Sequence, residues 1–443
     1  MFKVGFAKID LAPALRPVMP ISPERIEAIS SYFEYYDKRA IWIVFDFMDF
    51  NRLFTDTIRR GIAKATTLCE DQIHILTTHN HGGGSPDLTI LSSLACNVAL
   101  ESIKAAEESN VRIAVTKCQK QINIVRRLFV PEINGIATLF YGASEKNGFN
   151  SSLFRENVIK NVAENRECNY MGTSTTYEKS PFQIADDEIV AIHFLNNKCE
   201  TLGSIVRFAA HAVCSNRKGV FSSDYPYHIR RVMEERLGGI SMFLNGLCGE
   251  IAPAIIDKYE GGEVRIGEHI AEAALNGLIS SKIQKVESFK VAKTEVKLPV
   301  REELIHNKAP IFGYEPKTLE DRRKYVECER FRKMLPFLME KYTAGEIDCS
   351  NTISVYLGLI KINDLIIAAF PGETFWSTGM RVKNVYPNIK ICTVTEHERT
   401  VMYLPPLEDL EKGGYESVCK VTSDKGEEML RESAISFIKD FLK

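Results

Sequence analysis

The feature that most constrains this chain is a strand–helix–strand pattern that carries two histidines to a strand end. The apolar run IWIVFDF (residues 41–47) is followed by a helical pattern through IRRGIAKATTL (58–68) and then by the strand-like IHILTT (73–78). Short runs rich in β-branched and aromatic residues suit buried strands, and two of them joined by a helix lie parallel in one sheet. The second run ends in His79-Asn80-His81-Gly82-Gly83-Gly84. That segment is a loop by composition, and it sits where α/β sheets place ligands, at the carboxyl end of a strand.

Further strand-like runs follow at VRIAVTKCQ (111–119), EIVAIHFL (188–195), LGSIVRFAAH (202–211) and ISMFLNG (240–246), with helical patterns at 227–238 and 268–284. Residues 353–373 read as a β-hairpin turning at Asn363-Asp364 and closing in Pro371-Gly372-Glu373, with a helix starting near Thr374. The expectation is an α/β fold, a mixed central β-sheet flanked by helices. No repeat or Pro/Gly/Ser-rich linker divides residues 1–443, so one domain is expected, with the region after about residue 300 completing the same sheet. Residues 302–348 are charged and helical, and read as an insertion or a lid.

With 56 basic and 58 acidic residues the net charge is −2, which gives no extended basic surface for nucleic acid or acidic lipid. No apolar stretch reaches the 18 or more residues that span a bilayer, and MFKVGFAKIDLAP meets Lys8 and Asp10 before any signal-like core forms. These features predict a cytoplasmic protein without membrane insertion, acting on a small molecule. The 11 cysteines lack a CxxC pair and read as reduced thiols, with Cys214 and Cys248 as packing residues.

His79, His211 and Glu373 each end an apolar strand-like run. Catalytic zinc takes about three nitrogen or oxygen ligands and keeps a position open, so a His/His/Glu set suits that chemistry. His74, His193, His228, His269, His306 and His397 have no ligand-like partners in the sequence and read as structural or solvated.

Seven segments, VGFAKIDLAP, THNHGGG, RFAAH, SSDYP, CGEIAP, FPGE and YLPPLEDLEKGGYE, together resemble the ordered motifs of the neutral/alkaline ceramidase family's N-terminal catalytic domain, over nearly the whole chain. The resemblance implies one zinc ion per chain and hydrolysis of an amide or ester bond by a zinc-activated water. It implies His79, His211 and Glu373 as zinc ligands and His81 as the residue facing the substrate. It implies Tyr403 as a further ligand, although Met402 stands where the family motif has glycine. Arg166, in Asn165-Arg166, resembles the family's pocket arginine.

The main departure is Gly249-Glu250-Ile251-Ala252-Pro253, where the family carries G-D-(V/I)-S-P. Ala252 has no hydroxyl, which excludes a serine-acyl route at that position. Glu250 is the candidate for holding a histidine ligand or moving a proton. Asp224 orients a ligand or, by preference, caps the helix beginning near Pro226. The missing serine, the absence of a secretion signal, and no room after residue 443 for the β-sandwich that ceramidases append point to a soluble substrate rather than ceramide. Two alternatives stand beside hydrolysis: a non-catalytic metal-binding or regulatory member of the family, and a metal-dependent carbohydrate-active hydrolase.

Overall fold

The computed structural model describes residues 1–15, 24–118, 122–141, 151–167, 170–171, 185–214, 220–254, 262–343, 351–398 and 400–443. The expected mixed α/β architecture is present, built as three main sheets rather than one. The first contains β1 (Phe2–Asp10), β2 (Glu27–Tyr35) and β3 (Lys38–Phe45), followed by helix α1 (Arg52–Ala65), β4 (Ile73–Thr77) and helix α2 (Leu88–Lys104). Its order is β4-β3-β2-β1, with the short strand Glu107–Glu108 at the far edge; β3 and β4 are parallel, as the strand–helix–strand pattern predicts.

The second sheet is formed by β5 (Asn110–Lys117), β6 (Glu188–Leu195), β7 (Thr201–Phe208), helix α3 (Asp224–Leu237), β8 (Ile240–Asn245) and helix α4 (Gly262–Ser280). It runs β8-β7-β6-β5, and β7 and β8 are its parallel pair. The chain after residue 300 does not extend either sheet. It joins β9 (Phe289–Pro299) in a third sheet, through helix α5 (Leu319–Thr343), β10 (Thr352–Ile362), β11 (Leu365–Ala369), helix α6 (Trp376–Val385), β12 (Lys390–Val394) and helix α7 (Gly426–Leu442). The order is β9-β10-β11-β12, with β11 and β12 parallel.

Alternation along the strands explains why three sheets close on each other. In β3, Trp42 and Val44 point to a central core while Ile41, Ile43 and Phe45 point to α1 and α2. In β7 and β8, Ile205, Met242 and Leu244 face the same central core, and Val206, Phe208 and Phe243 face α3 and α4. In β11, Leu365 and Ile367 face inward and Ile366 and Ala368 face an outer layer that includes Val382 of α6 and Leu430 of α7. A strand with two apolar faces must be covered on both sides, so each sheet needs its neighbours within and helices without.

Helix α5 occupies most of the segment read as an insertion or lid. Its Phe331 and Leu338 join the outer core beside the third sheet, and residues 344–348 lie outside the described residues. Among the described residues no helix is long and apolar enough to cross a membrane. Cys214 and Cys248 are buried in the core under α3 and α4, the packing role expected of them.

The three parallel pairs end at the same side of the molecule, and one residue links them through its side chain and its backbone carbonyl. Asn245, at the end of β8, donates from Nδ2 to the Thr78 carbonyl (3.1 Å) and the Ala210 carbonyl (2.9 Å). Its own carbonyl accepts from Thr395 N at 2.9 Å, just beyond β12. Asn245→Ala would leave two buried carbonyls without that donor, and the protein should lose roughly 2–4 kcal/mol of stability in urea denaturation.

Candidate metal centre

Each sheet sends one polar residue past its parallel pair into a common space. His79 follows β4, His211 follows β7, and Glu373 follows β11 through the Pro371-Gly372 turn. His79 adopts a left-handed backbone (φ 57°), which turns the chain sharply after Thr78 and carries the ring back over the strand ends. Gly372 is also left-handed (φ 53°), a conformation that costs glycine little and lets Glu373 turn back to pair in parallel with Tyr403. Gly249 packs so closely on this turn that a Cβ would lie 2.4 Å from the Glu373 carbonyl oxygen.

The hydrogen bonds fix the histidine tautomers. His79 Nδ1 lies 3.1 Å from the Met48 carbonyl, and His211 Nδ1 lies 2.9 Å from the Ile251 carbonyl. A carbonyl only accepts, so both Nδ1 atoms carry a proton, and in the neutral rings both Nε2 atoms present lone pairs. Those lone pairs converge on Glu373: His79 Nε2 is 3.4 Å and His211 Nε2 is 3.0 Å from Glu373 Oε2. His81 Nε2 approaches His79 Nε2 at 3.3 Å, and the Tyr403 hydroxyl approaches His211 Nε2 at 3.4 Å.

Several acceptors aimed at one buried point call for a proton or a cation between them. The spacing suits a metal ion, because tetrahedral ligands about 2.1 Å from zinc lie about 3.4 Å apart. His79, His81 and His211 together form a cluster able to hold a metal ion, with their donor atoms within 4.8 Å of one another. Burial alone would depress His79, but the Glu373 charge overrides it and lifts that imidazole to about 10, so a proton on Nε2 faces the Glu373 carboxylate unless a metal ion takes its place. Burial, with the charges of Arg126 and His79, lowers His211 to about 4, so its lone pair stays available.

The strands parallel to these three supply the supporting layer. The loop after β3 provides the Met48 carbonyl, and the segment after β12 provides Glu396. Glu396 is buried, with a left-handed backbone (φ 54°), and its Oε1 lies 3.3 Å from His79 Nδ1 without an aligned hydrogen bond. Arg126, on the short strand Asn123–Val125 and its continuation, is buried and donates to the Tyr403 hydroxyl (2.9 Å), the Gly249 carbonyl (3.1 Å) and Glu416 (2.8 Å). Sequence reasoning missed both. Arg126 carried a readable signal, an arginine pair continuing an apolar strand-like INIV, where a charged residue needs a buried partner.

Two residues singled out from sequence do other work. Arg166 is exposed, pairs with Glu164, and follows a left-handed Asn165. The buried arginine that meets the Tyr403 hydroxyl is Arg126, directly after the short strand Asn123–Val125. Glu250 is buried, but its carboxylate accepts from Trp376 N (2.9 Å) and Ser377 N (3.2 Å), the unpaired amides that open α6. Burial pushes it up to about 8. The neighbouring Ile251 carbonyl, not the Glu250 carboxylate, holds His211.

Ala252 lies in a small apolar group with Ile124, Leu139 and Ala254. Asp224 is the first residue of α3 rather than its cap: its Oδ1 accepts from the adjacent Tyr225 N at 2.7 Å, and the N-cap position, Ser223, makes no side-chain capping bond. His74 and His397 pair with each other in the interior at 3.0 Å, a structural contact.

Glu416 anchors the Arg126 arm. Burial would raise its carboxyl, but Arg126 and Arg127 outweigh burial and hold it below the usual carboxylate range. A depressed folded pKa contributes stability that is present above the unfolded value of about 4.3 and is lost as the pH falls below it. Glu416→Gln should therefore be less stable than wild type at pH 7, and urea titrations at a series of pH values should show the gap closing below about pH 4.3.

No protein-family model matches the chain, and no curated sequence matches it. Among solved structures it is similar to a neutral ceramidase from Pseudomonas aeruginosa, with 13% identity and a TM-score of 0.67, over 99% of this chain and 75% of that one. It is also similar to a ceramidase described as complexed with C2, with 11% identity and a TM-score of 0.67 over the same shares. At these identities the likeness is one of architecture, and the chain has a ceramidase-like α/β fold.

Proposed function

We propose that this chain is a zinc-dependent hydrolase of an amide or ester bond in a small soluble substrate. The observation that carries the reading is the convergence of His79 Nε2 and His211 Nε2 on Glu373 Oε2, at 3.4 and 3.0 Å, with both Nδ1 protons committed to backbone carbonyls. His79, His211 and Glu373 would hold the zinc, with Tyr403 as a further oxygen ligand. When bound, zinc would supply a Lewis acid for the scissile carbonyl and would lower the pKa of a water towards neutrality.

The chain's own residues do the rest. Met48 and Ile251 fix the ligand rings through their carbonyls, the usual device for orienting metal-bound imidazoles. Arg126 holds the Tyr403 hydroxyl in place through its 2.9 Å bond. His81 is more exposed than the other two histidines, which supports it as the ring that would meet a substrate carbonyl oxygen. Ala252 offers no nucleophile, and its neighbours Ile124, Leu139 and Ala254 are apolar. Glu250 enters only as the cap that docks α6 beside the Glu373 turn. The fold likeness to ceramidases supports hydrolysis as the reaction class; the absent serine directs the choice of substrate away from ceramide.

Metal analysis of wild type, His79→Ala and Glu373→Ala tests the reading. Wild type should carry about one zinc per chain, and both variants should lose it while staying folded. Their activity on N-acyl amides and esters should fall by more than the 10–100-fold typical of an outer-shell loss. A wild type that takes up no zinc would overturn the reading. His81→Ala separates ligand from substrate contact: it should keep its zinc and lose about 10²–10³ in kcat, the usual cost of removing an oxyanion donor.

A further inference from the structure

We infer that Lys341 of α5 is a positioning residue for the metal centre, acting on His79 through Asp49 and the adjoining Met48 carbonyl. The inference rests on the metal-site reading above and names a part of the chain that the ligand motifs do not include. The Lys341 ammonium meets both oxygens of Asp49, at 2.7 and 2.9 Å. The two side chains are only 13% and 9% exposed, so solvent screens this pair far less than a surface pair.

Asp49 adjoins Met48, whose carbonyl accepts from His79 Nδ1 at 3.1 Å and from Thr77 Oγ1 at 3.0 Å. The loop carrying that carbonyl has no regular secondary structure of its own. Its flanks are tied down: the Asp46 carbonyl accepts from Asn80 Nδ2 at 3.1 Å, and the Phe50 carbonyl accepts from Thr400 N at 2.9 Å. Between those ties, Lys341 grips the loop by the side chain of Asp49. The ammonium also places a positive charge beside a carboxylate whose field reaches Glu396, the second acid facing His79.

The same helix reaches the other side of the site. The Arg330 guanidinium lies 5.0 Å from the centre of the Tyr415 ring, which packs edge-on against Tyr403 at 5.5 Å. Helix α5 thus braces the His79 arm through one cation and the Tyr403 arm through another. Because a metal-bound imidazole is aimed by the group its other nitrogen donates to, a looser Met48 carbonyl means a looser His79 Nε2.

The test compares wild type, Lys341→Met, Asp49→Asn and Lys341→Arg, at a temperature where circular dichroism shows every apo-protein folded. Zinc affinity is read by chelator competition, and the visible spectrum of the cobalt(II)-loaded protein reports ligand geometry. Lys341→Met and Asp49→Asn should each weaken zinc binding roughly tenfold or more and shift the cobalt bands. Lys341→Arg, which keeps the cation, should stay within about twofold of wild type, a rescue that a merely structural role for the side-chain volume would not give. Unchanged zinc affinity and cobalt bands in Lys341→Met, with wild type binding both metals, would overturn this inference alone. Equal damage in Lys341→Met and Lys341→Arg would overturn it too. A wild type that binds neither metal would remove the metal-site reading and this inference with it.

Discussion

The structure depends on how three sheets end together. Each is buried on both faces, so polar groups can gather only where the strands stop, and there the backbone must be satisfied. Asn245 meets that demand by joining Thr78, Ala210 and Thr395, one from the exit of each sheet. Asp46 does the same at one corner: it accepts from both terminal nitrogens of buried Arg230, at 2.9 and 2.6 Å, and from the Glu27 amide at 2.9 Å. Breaking such a buried pair by removing one partner is far more costly than losing a surface pair, so the strand ends are held in one arrangement.

On that frame the site has a regular plan. In each parallel pair, one strand supplies a residue to the centre, and the other supplies the group that steadies the arrangement. β4 gives His79 and β3 leads to the Met48 carbonyl; β7 gives His211 and β8 ends in Asn245; β11 gives Glu373 and β12 leads to Glu396. The acceptors face one another because their outer nitrogens are already committed, which makes the space between them attractive to positive charge. The left-handed non-glycine residues His79 and Glu396 lie here, as strained backbone does where geometry matters more than local comfort, and Gly372 makes its turn between them at little cost.

The CGEIAP segment shows how a motif can act through its backbone. Its glycine permits close approach to the Glu373 turn, its isoleucine carbonyl orients His211, and its glutamate caps α6. Its alanine, Ala252, packs in a small apolar group with Ile124, Leu139 and Ala254. The segment thus serves the site through its backbone and offers no hydroxyl at Ala252, and this is why the proposed chemistry rests on the metal ligands rather than on a side-chain nucleophile there.

The sequence by itself determined the strands with two apolar faces, the parallel pair β3 and β4, and the strand-end positions of His79, His211 and Glu373. Those features are local: a period of two, a glycine-rich turn, a Pro-Gly turn before an acid. What only the tertiary structure decided was everything that depends on which strand ends lie side by side. The single expected sheet became three because patterning fixes which faces are buried and not what buries them. Arg126 rather than Arg166 became the buried arginine, Ile251 rather than Glu250 the group holding His211, and Glu396 a neighbour of His79 across more than 300 residues of chain. Side-chain direction at a loop is set by the nearest unsatisfied partner, and that partner is supplied by packing between segments that the sequence keeps far apart.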